Sequence, residues 1–196
     1  MWEQDHITYD SSQTGSTGGE GWVGTVGVGC DYQVSSYVIG VLADYDFMHL
    51  SGSFKDPFLG YAGNQTASSS AAVGVRIGYL VTPELLIYLN GGKAQTRFDQ
   101  INLLSPTSSP TPYFYPAHTY TTGYFVGAGI EYALGDIVPL KGLFWRTEYR
   151  YFEYYNDVRL PLLTNTGSSK GPGLSIGKDV QTITSGFVWR FNFGGP

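Results

Sequence analysis

The stretch WRTEYRYFEY, from Trp145 to Tyr154, alternates charged and aromatic side chains with a period of two residues. This is the side-chain repeat of a β-strand, in which successive residues point to opposite faces. One face of this strand carries Arg146, Glu148 and Arg150, and the other carries large rings. In a soluble sheet the charges meet water, whereas in a membrane β-barrel the rings meet lipid and the charges pair inside the lumen. One strand does not distinguish these two arrangements.

The same alternation recurs along the chain. In each segment one face is almost continuously apolar or aromatic, and the other carries glycine, threonine and nearly all of the charge within the strand. The least regular segment contains Lys93 on the apolar face, and we expect this residue near a lipid headgroup. Seven clear strands are predicted at about 21–33, 37–50, 70–81, 85–98, 119–134, 143–155 and 179–193.

The composition fits either a membrane barrel or a secreted all-β domain. Charged residues make up 14% of the 196 residues, whereas soluble domains contain about a quarter. The mean hydropathy is −0.11, and no apolar run reaches the roughly 20 residues of a transmembrane helix. The net charge of −5 argues against nucleic acid as a partner. The single cysteine, Cys30, excludes an internal disulfide framework.

The connections between the predicted strands alternate between short and long. Long loops are predicted at about 10–20, 51–69, 99–118 and 155–177. Short turns at one end and long loops at the other are typical of an outer-membrane barrel. A soluble lipocalin-type carrier, the alternative, would place apolar residues inside without this asymmetry. The sequence therefore predicts one all-β domain over residues 1–196, an antiparallel up-and-down transmembrane β-barrel.

The strand count predicts an incomplete first strand. Bacterial single-chain barrels have an even number of strands, with eight as the minimum, and seven are clear here. The segment Met1–Tyr9 is too short and too polar for a full crossing of about 9–11 residues. We therefore expect it to form the outer half of the first strand. The inner half and a signal peptide are expected upstream, outside this sequence.

Two sets of barrel residues follow from the alternation. An eight-stranded barrel is just wide enough for side chains to fill, so we expect the inner charges to pair and plug the lumen, with lumen glycines making room for the arginines. The alternative is a selectivity lining. The predicted lumen charge network comprises Asp44, Asp46, Arg76, Glu131, Arg146, Glu148, Arg150 and Arg190. The predicted lipid-facing aromatic residues are Trp22, Tyr45, Tyr79, Trp145, Tyr149, Tyr151, Phe187, Trp189 and Phe191.

The sequence contains only weak candidates for a metal-binding, catalytic or phosphate-binding motif. The histidines His6, His49 and His118 are predicted at strand ends or in outer loops, without the convergent spacing that a metal site or a catalytic triad needs. The glycine-rich stretch at 15–21 precedes a strand instead of opening a helix, so it does not predict a phosphate site. No catalytic residue, cofactor or metal is predicted.

One outer loop is rich in proline and aromatic residues. The stretch SPTSSPTPYFYP contains Tyr113, Phe114 and Tyr115, which are candidates for contact with lipopolysaccharide, a neighbouring barrel or a host surface. The alternative is a cap that packs on itself over the mouth of the barrel. Exposed aromatic residues in such a loop also permit lateral self-association or contact with neighbouring envelope proteins.

Several stretches resemble a known family. GVGCDYQVSSYVIGVLADYDF, VGVRIGYLVTPELLIYLNGGKA, YFVGAGIEYAL and RTEYRYFEY resemble hairpins of the small alphaproteobacterial outer-membrane immunogenic proteins. These are porin-superfamily barrels similar in architecture to the transmembrane domain of outer membrane protein A. The resemblance covers about Gly18 to Phe193, and its most specific part is Glu148–Tyr151. SGFVWRFNF resembles the family's C-terminal assembly signal, but three further residues follow it, and the family's opening half strand is missing.

The resemblance implies a location and partners, but no reaction. It implies export to the outer membrane of a Gram-negative cell, insertion by the assembly machinery, and contact with outer-membrane lipids and lipopolysaccharide. The function expected from the sequence is structural, in envelope integrity and surface presentation. The alternatives are a small pore with a hydrated lumen, and a surface receptor or adhesin that acts through the long loops.

Overall fold

A computed structural model describes residues 1–9, 13–55, 62–99, 101–104, 113–115, 119–135, 137–138, 140, 142–155, 159–164 and 169–191. Within these ranges, no helix is long and apolar enough to cross a membrane. The strands are β1 Trp2–Tyr9, β2 Gln13–Val34, β3 Tyr37–Lys55, β4 Ala62–Thr82, β5 Leu85–Phe98, β6 Ile101–Leu104, β7 Tyr113–Tyr115, β8 Thr119–Ala133, β9 Leu143–Tyr154, β10 Arg159–Thr164 and β11 Ser169–Trp189.

Eight of these strands form a barrel. Their order is β1-β2-β3-β4-β5-β8-β9-β11, each strand pairs antiparallel with the next, and β1 also pairs with β11. The β2–β3 turn contains Ser35 at a φ of 54°, and Gly142 has a φ of 83° in the connection before β9. This arrangement confirms the predicted antiparallel eight-stranded barrel.

The first strand is incomplete, as predicted. Trp2 lies opposite Glu20 of β2 and Gln181 of β11, and from there β1 pairs with both neighbours toward the outer end. Among the described residues, Trp22–Val34 of β2 pair only with β3, and Thr182–Trp189 of β11 pair only with β9. The wall is therefore open between these two segments and closed elsewhere.

The outer ends of the strands correct the predicted loop boundaries. β2 already begins at Gln13, β3 continues to Lys55, β4 begins at Ala62 and β11 begins at Ser169, so large parts of the predicted loops 10–20, 51–69 and 155–177 are strand. Beyond the membrane both faces of a strand meet water, so the apolar alternation used for the prediction disappears while the backbone pairing continues.

Three short strands lie within the described parts of the remaining predicted loops. β6 pairs with the outer end of β4 and with β7, β7 pairs with β10, and β10 pairs with the outer end of β11. These strands continue the wall outward from the ends of β5, β8 and β9. The predicted loop 99–118 therefore contains two strands, β6 and β7, within its described part.

The barrel wall exposes apolar side chains on its outer face and buries side chains on its inner face, as in a membrane β-barrel. Apolar side chains on the outer face are exposed, for example Val28 at 78% and Phe187 at 73%. Inner-face side chains such as Val38 and Phe125 are only 1% exposed. The buried core of the molecule is thus the lumen.

Candidate functional site: the barrel lumen

A balanced group of four charges lies near the short turns, and we call it the short-turn cluster. It consists of Asp31, Arg76, Glu131 and Arg190. Arg76 Nε donates a 2.8 Å hydrogen bond to Asp31 Oδ1, and Arg76 Nη1 donates a 2.7 Å bond to Glu131 Oε1. Arg190 pairs with the other oxygen of Glu131 and lies 3.4 Å from Asp31 Oδ2. Each guanidinium therefore bridges both carboxylates, and the net charge of the cluster is zero.

A second group, the central cluster, lies farther from the turns and consists of Asp44, Tyr88, Asn90, Glu148 and Arg150. Arg150 Nη1 donates to Asp44 Oδ1 at 3.0 Å, while its Nη2 lies 2.8 Å from Asp44 Oδ2 and its Nε lies 2.5 Å from Glu148 Oε1. Glu148 Oε2 accepts hydrogen bonds from Tyr88 Oη at 2.6 Å and Asn90 Nδ2 at 2.8 Å. These side chains form one connected network across the lumen.

Two residues of the predicted network stand apart from these ion pairs. Asp46 is buried and accepts a 2.6 Å hydrogen bond from Thr25 Oγ1. Arg146 lies in register with Glu131 on the neighbouring strand. Within the described part of the chain neither Asp46 nor Arg146 has an ion-pair partner within 4 Å. The other six predicted charges are all in ion pairs: Asp44, Arg76, Glu131, Glu148, Arg150 and Arg190.

Two glycines of β8 make room for the central cluster. Gly129 lies in register between Tyr88 of β5 and Glu148 of β9. A Cβ atom at Gly129 would lie 2.5 Å from Tyr88 Cζ. Gly127 lies in the same way between Asn90 and Arg150, and its Cβ would lie 2.5 Å from Asn90 Oδ1. The side chains of β5 and β9 therefore meet over β8 because β8 presents no side chain there.

A layer of aromatic rings fills the lumen on the outer side of the central cluster. The ring centroids of Phe125 and Phe152 are 5.6 Å apart, those of Phe152 and Tyr154 are 6.3 Å apart, and those of Tyr154 and Phe98 are 5.8 Å apart. The Arg150 guanidinium carbon lies 4.7 Å from the Phe125 centroid, a distance that allows a cation–π interaction. The same layer contains buried Met48, Leu50, Ala67, Ala72, Ala94 and Val180.

The opposite end of the lumen has a smaller apolar group beside the short turns. Val38, Leu86 and Tyr88 are buried against one another, and the partly buried Leu80 packs on them. The Arg76 guanidinium carbon lies 5.3 Å from the centre of the Tyr88 ring. The short-turn cluster and the central cluster are therefore bounded by apolar side chains at both ends.

Several lumen residues are not among the residues predicted from the sequence. Asp31 and Thr25 share the predicted inner face of Gly27 and Gly29, but neither was included in the predicted lumen network. Tyr88 and Asn90 occupy the irregular β5 segment, where Lys93 obscured the alternation. The aromatic layer was also missed, although Phe152 and Tyr154 have the same parity as Arg150 in the opening stretch.

The predicted lipid-facing aromatic residues all occupy outward positions of the barrel strands, or of the segment that follows β11 in the case of Phe191. Some of these aromatic side chains form hydrogen bonds with other side chains on the outer surface of the barrel. Trp145 Nε1 donates to Ser185 Oγ at 2.9 Å, Ser185 Oγ lies 3.1 Å from Thr147 Oγ1, and Tyr149 Oη donates to Gln181 Oε1 at 2.9 Å. These bonds join the outer faces of β9 and β11.

The predicted loop residues are only partly described. Tyr113, Phe114 and Tyr115 form β7, but their side chains lie outside the described part of the structure. His49 is an exposed residue on the outward face of β3. The side chain of His6 and the whole of His118 lie outside the described residues.

Comparisons with known proteins agree with this architecture. A family model described as the outer membrane protein beta-barrel domain matches residues 5–191. The 31 kDa outer-membrane immunogenic proteins of Brucella melitensis and Brucella suis are each 28% identical over 138 residues, which is 67% of this chain and 53% of theirs. The chain thus spans about half the length of these relatives.

Two further similarities are weaker. An uncharacterized protein of Coxiella burnetii is 30% identical over 99 residues, which is 49% of this chain and 36% of that protein. The crystal structure of Ail, the attachment invasion locus protein of Yersinia pestis, in complex with the heparin analogue sucrose octasulfate, aligns over 97% of this chain and 94% of that chain. The identity is 12% and the TM-score is 0.38.

Proposed function

Because the chain belongs to the outer membrane protein β-barrel family, we propose that it is a non-enzymatic structural protein of the outer membrane with a closed lumen. The observation that carries this proposal is the stack of side chains across the lumen. From the short turns outward it consists of an apolar group, the two charged clusters and the aromatic layer.

The energetics of the stack favour a closed state. An ion that crosses the lumen has to displace the ring of Phe125 or Phe152, which are 1% and 3% exposed. It also has to pass Arg150, which bridges Asp44 and Glu148. Removing one partner from a buried ion pair costs about 3–5 kcal/mol because the other charge is left uncompensated. Spontaneous opening of this network is therefore expected to be rare.

The bonding of the lumen groups also supports a role without catalysis. The carboxylates of Glu131 and Glu148 are both held by arginine, and Glu148 accepts two further hydrogen bonds. A general base needs a free lone pair within hydrogen-bond reach of a substrate proton. Here those lone pairs are used to hold the wall strands together.

A liposome-swelling assay tests the closed lumen. Liposomes that contain the folded protein should swell in an isotonic solution of a small sugar no faster than empty liposomes. A large-lumen porin in parallel liposomes serves as the positive control. Swelling that increases with the amount of folded protein would refute the closed lumen and favour the small pore.

A genetic experiment tests the structural role. Deletion of the gene in its native host should increase sensitivity to detergents and bile salts, and expression of the wild-type protein should restore resistance. The variant Glu148→Leu, which disrupts the central cluster, should restore resistance less well. A deletion strain with unchanged sensitivity would argue against a role in envelope integrity.

A surface receptor or adhesin is the second candidate, and the outward extension of the wall supports it. β6, β7 and β10 pair with one another and with β4 and β11, so the segment with Tyr113, Phe114 and Tyr115 belongs to a paired sheet. Replacing these three residues with serine should abolish attachment to host cells if β7 is the contact. Undiminished attachment would remove this contact from consideration.

A further inference from the structure

Two opposite charges lie on the outer face of the barrel, one on each side of β8. Lys93 on β5 is in register with Tyr124 on β8, and Tyr124 is in register with Glu153 on β9. All three residues are exposed. Toward the short turns, the next outward residues of β8 are the apolar Val126 and Ala128. The charged row therefore lies at the outer border of the apolar belt.

The two charges are not paired with each other or with another charge nearby. Among the described residues, the ion pairs within 4 Å include neither Lys93 nor Glu153. Neighbouring strands are about 4.8 Å apart, so the backbones at these two positions are about 10 Å apart, with Tyr124 between them. The Tyr124 hydroxyl donates a hydrogen bond to Glu153, which holds the carboxylate beside β8.

The wall next to this row carries small residues. The outward position that precedes Lys93 on β5 is Gly91, and Ala128 is an outward residue of β8. An apolar groove of about 810 Å³ extends over Ala128 and is also lined by Leu89 and Tyr149. Small residues at an interface within a membrane allow two backbones to approach closely. A neighbouring barrel therefore meets less steric resistance at this part of the wall.

The rest of the register row lacks this pair of accessible opposite charges. From Lys93 toward β2 the row continues with the uncharged Val73, Ala43 and Val28. Beyond Glu153 it reaches Asp179 of β11, which is buried and so is poorly placed for a partner. In the described part of this row, β8 is thus the strand that has exposed charges of opposite sign on both sides.

We propose that this face of the barrel binds a second copy of the chain, with a two-fold axis along the membrane normal beside Tyr124. A two-fold axis brings a surface patch against the same patch of the other copy, so the patch has to be complementary to itself. Here the axis places Lys93 of each copy opposite Glu153 of the other, which forms two ion pairs.

The tilt of the strands is compatible with this pairing. A tilt of about 40° sets the two charges of one row at depths that differ by about 6 Å over two strand spacings. The flexible four-carbon stem of a lysine covers such a difference. The proposal depends on the membrane orientation of the barrel and not on whether the lumen conducts.

Energy transfer between differently labelled copies in phosphatidylcholine vesicles tests the proposal. The single cysteine, Cys30, is exposed on β2, four strands from β8, so it takes the labels without a further substitution. Association of the wild type should increase with the protein-to-lipid ratio. Lys93→Glu and Glu153→Lys should each weaken association about tenfold, because both attractions become repulsions. Lys93→Glu combined with Glu153→Lys should restore association.

A matched control reverses a charge on the far side of the barrel. Glu20 is an exposed residue of β2, and Glu20→Lys should leave association unchanged. Heat-modifiable migration on a gel verifies that each variant is folded.

Three outcomes would overturn the proposal. The first is a wild type that shows no energy transfer above random proximity at any protein-to-lipid ratio. The second is a double variant that associates as weakly as the single variants. The third is an effect of Lys93→Glu that occurs only in vesicles with an anionic lipid, which would assign Lys93 to the lipid. A conducting lumen would refute the proposed function but would leave this test unaffected.

Discussion

Tyr88 on β5 donates a 2.6 Å hydrogen bond to Glu148 on β9, across the intervening strand β8. The bond passes over Gly129, which lies in register with both residues. One glycine thus allows two strands that are not neighbours in the wall to be joined through the lumen. The same relationship occurs one step farther out, where Gly127 lies between Asn90 and Arg150.

Gly129→Ala should therefore destabilise the barrel. The added Cβ would lie 2.5 Å from Tyr88 Cζ, and the ring has to move away from Glu148. Overpacking of this kind costs about 1–3 kcal/mol. The free energy of unfolding in urea, followed by tryptophan fluorescence, measures the effect. Gly186→Ala is the matched control, since nothing lies within 4 Å of its Cβ, and equal losses in both variants would contradict the account.

Replacing Asp44 by asparagine should destabilise the barrel more than the same change at Asp46, two residues farther along β3. Asp44→Asn removes the carboxylate that pairs with two nitrogens of Arg150, and the loss should approach the 3–5 kcal/mol of a broken buried pair. Asp46→Asn should change stability by about 1 kcal/mol or less, because an amide oxygen still accepts the bond from Thr25. Urea unfolding of the two variants side by side provides the comparison. A larger loss for Asp46→Asn would show that the assignment of ion pairs is wrong.

Glu148→Leu should be the most damaging single change in the central cluster. It removes the acceptor of Tyr88 and Asn90 and one of the two carboxylates that hold Arg150. We expect a loss of up to about 3–5 kcal/mol, reduced if water enters the lumen. Glu148→Gln keeps an acceptor and should lose less. Unfolding of Glu148→Leu at the wild-type urea concentration would refute the structural importance of the network.

The surface bonds between β9 and β11 give a further prediction. Ser185→Ala removes the acceptor of Trp145 Nε1 and the contact with Thr147. Hydrogen bonds within the bilayer contribute about 0.6–1.7 kcal/mol, so we expect a loss in that range. The exposed Ser53, at the outer end of β3, provides the control variant Ser53→Ala, which should be neutral. Identical stabilities of the two variants would mean that the surface bonds contribute nothing.

The part of the fold inside the membrane was readable from sequence because lipid imposes a strict alternation on each strand. The period of two residues in Trp145–Tyr151 places the rings outside and the charges inside. The outer strands escaped prediction because β6, β7 and the ends of β2 and β4 have lost this pattern. Backbone pairing outside the membrane does not require apolar and polar side chains to alternate, so the sequence shows no regular pattern there.

The sequence identifies most of the charged residues that point into the lumen, but it does not show which of them form ion pairs with one another. Parity alone places Arg76 and Glu131 inside, yet their pairing depends on which strands face each other across the lumen. Asp31, the shared partner of Arg76 and Arg190, has the parity of the lumen face but was not included in the predicted network. The aromatic layer was not predicted, although Phe125 and Phe152 have the same parity as the lumen charges of their strands, Glu131 and Arg150.

Single-channel conductance of the purified, folded protein in a planar bilayer tests the central claim most directly. No steady conductance is expected, because the aromatic layer and the Arg150 network fill the lumen. Folding is verified beforehand by heat-modifiable migration on a gel. A steady and reproducible conductance, of the same size in independent preparations, would contradict the closed lumen and make the protein a small pore.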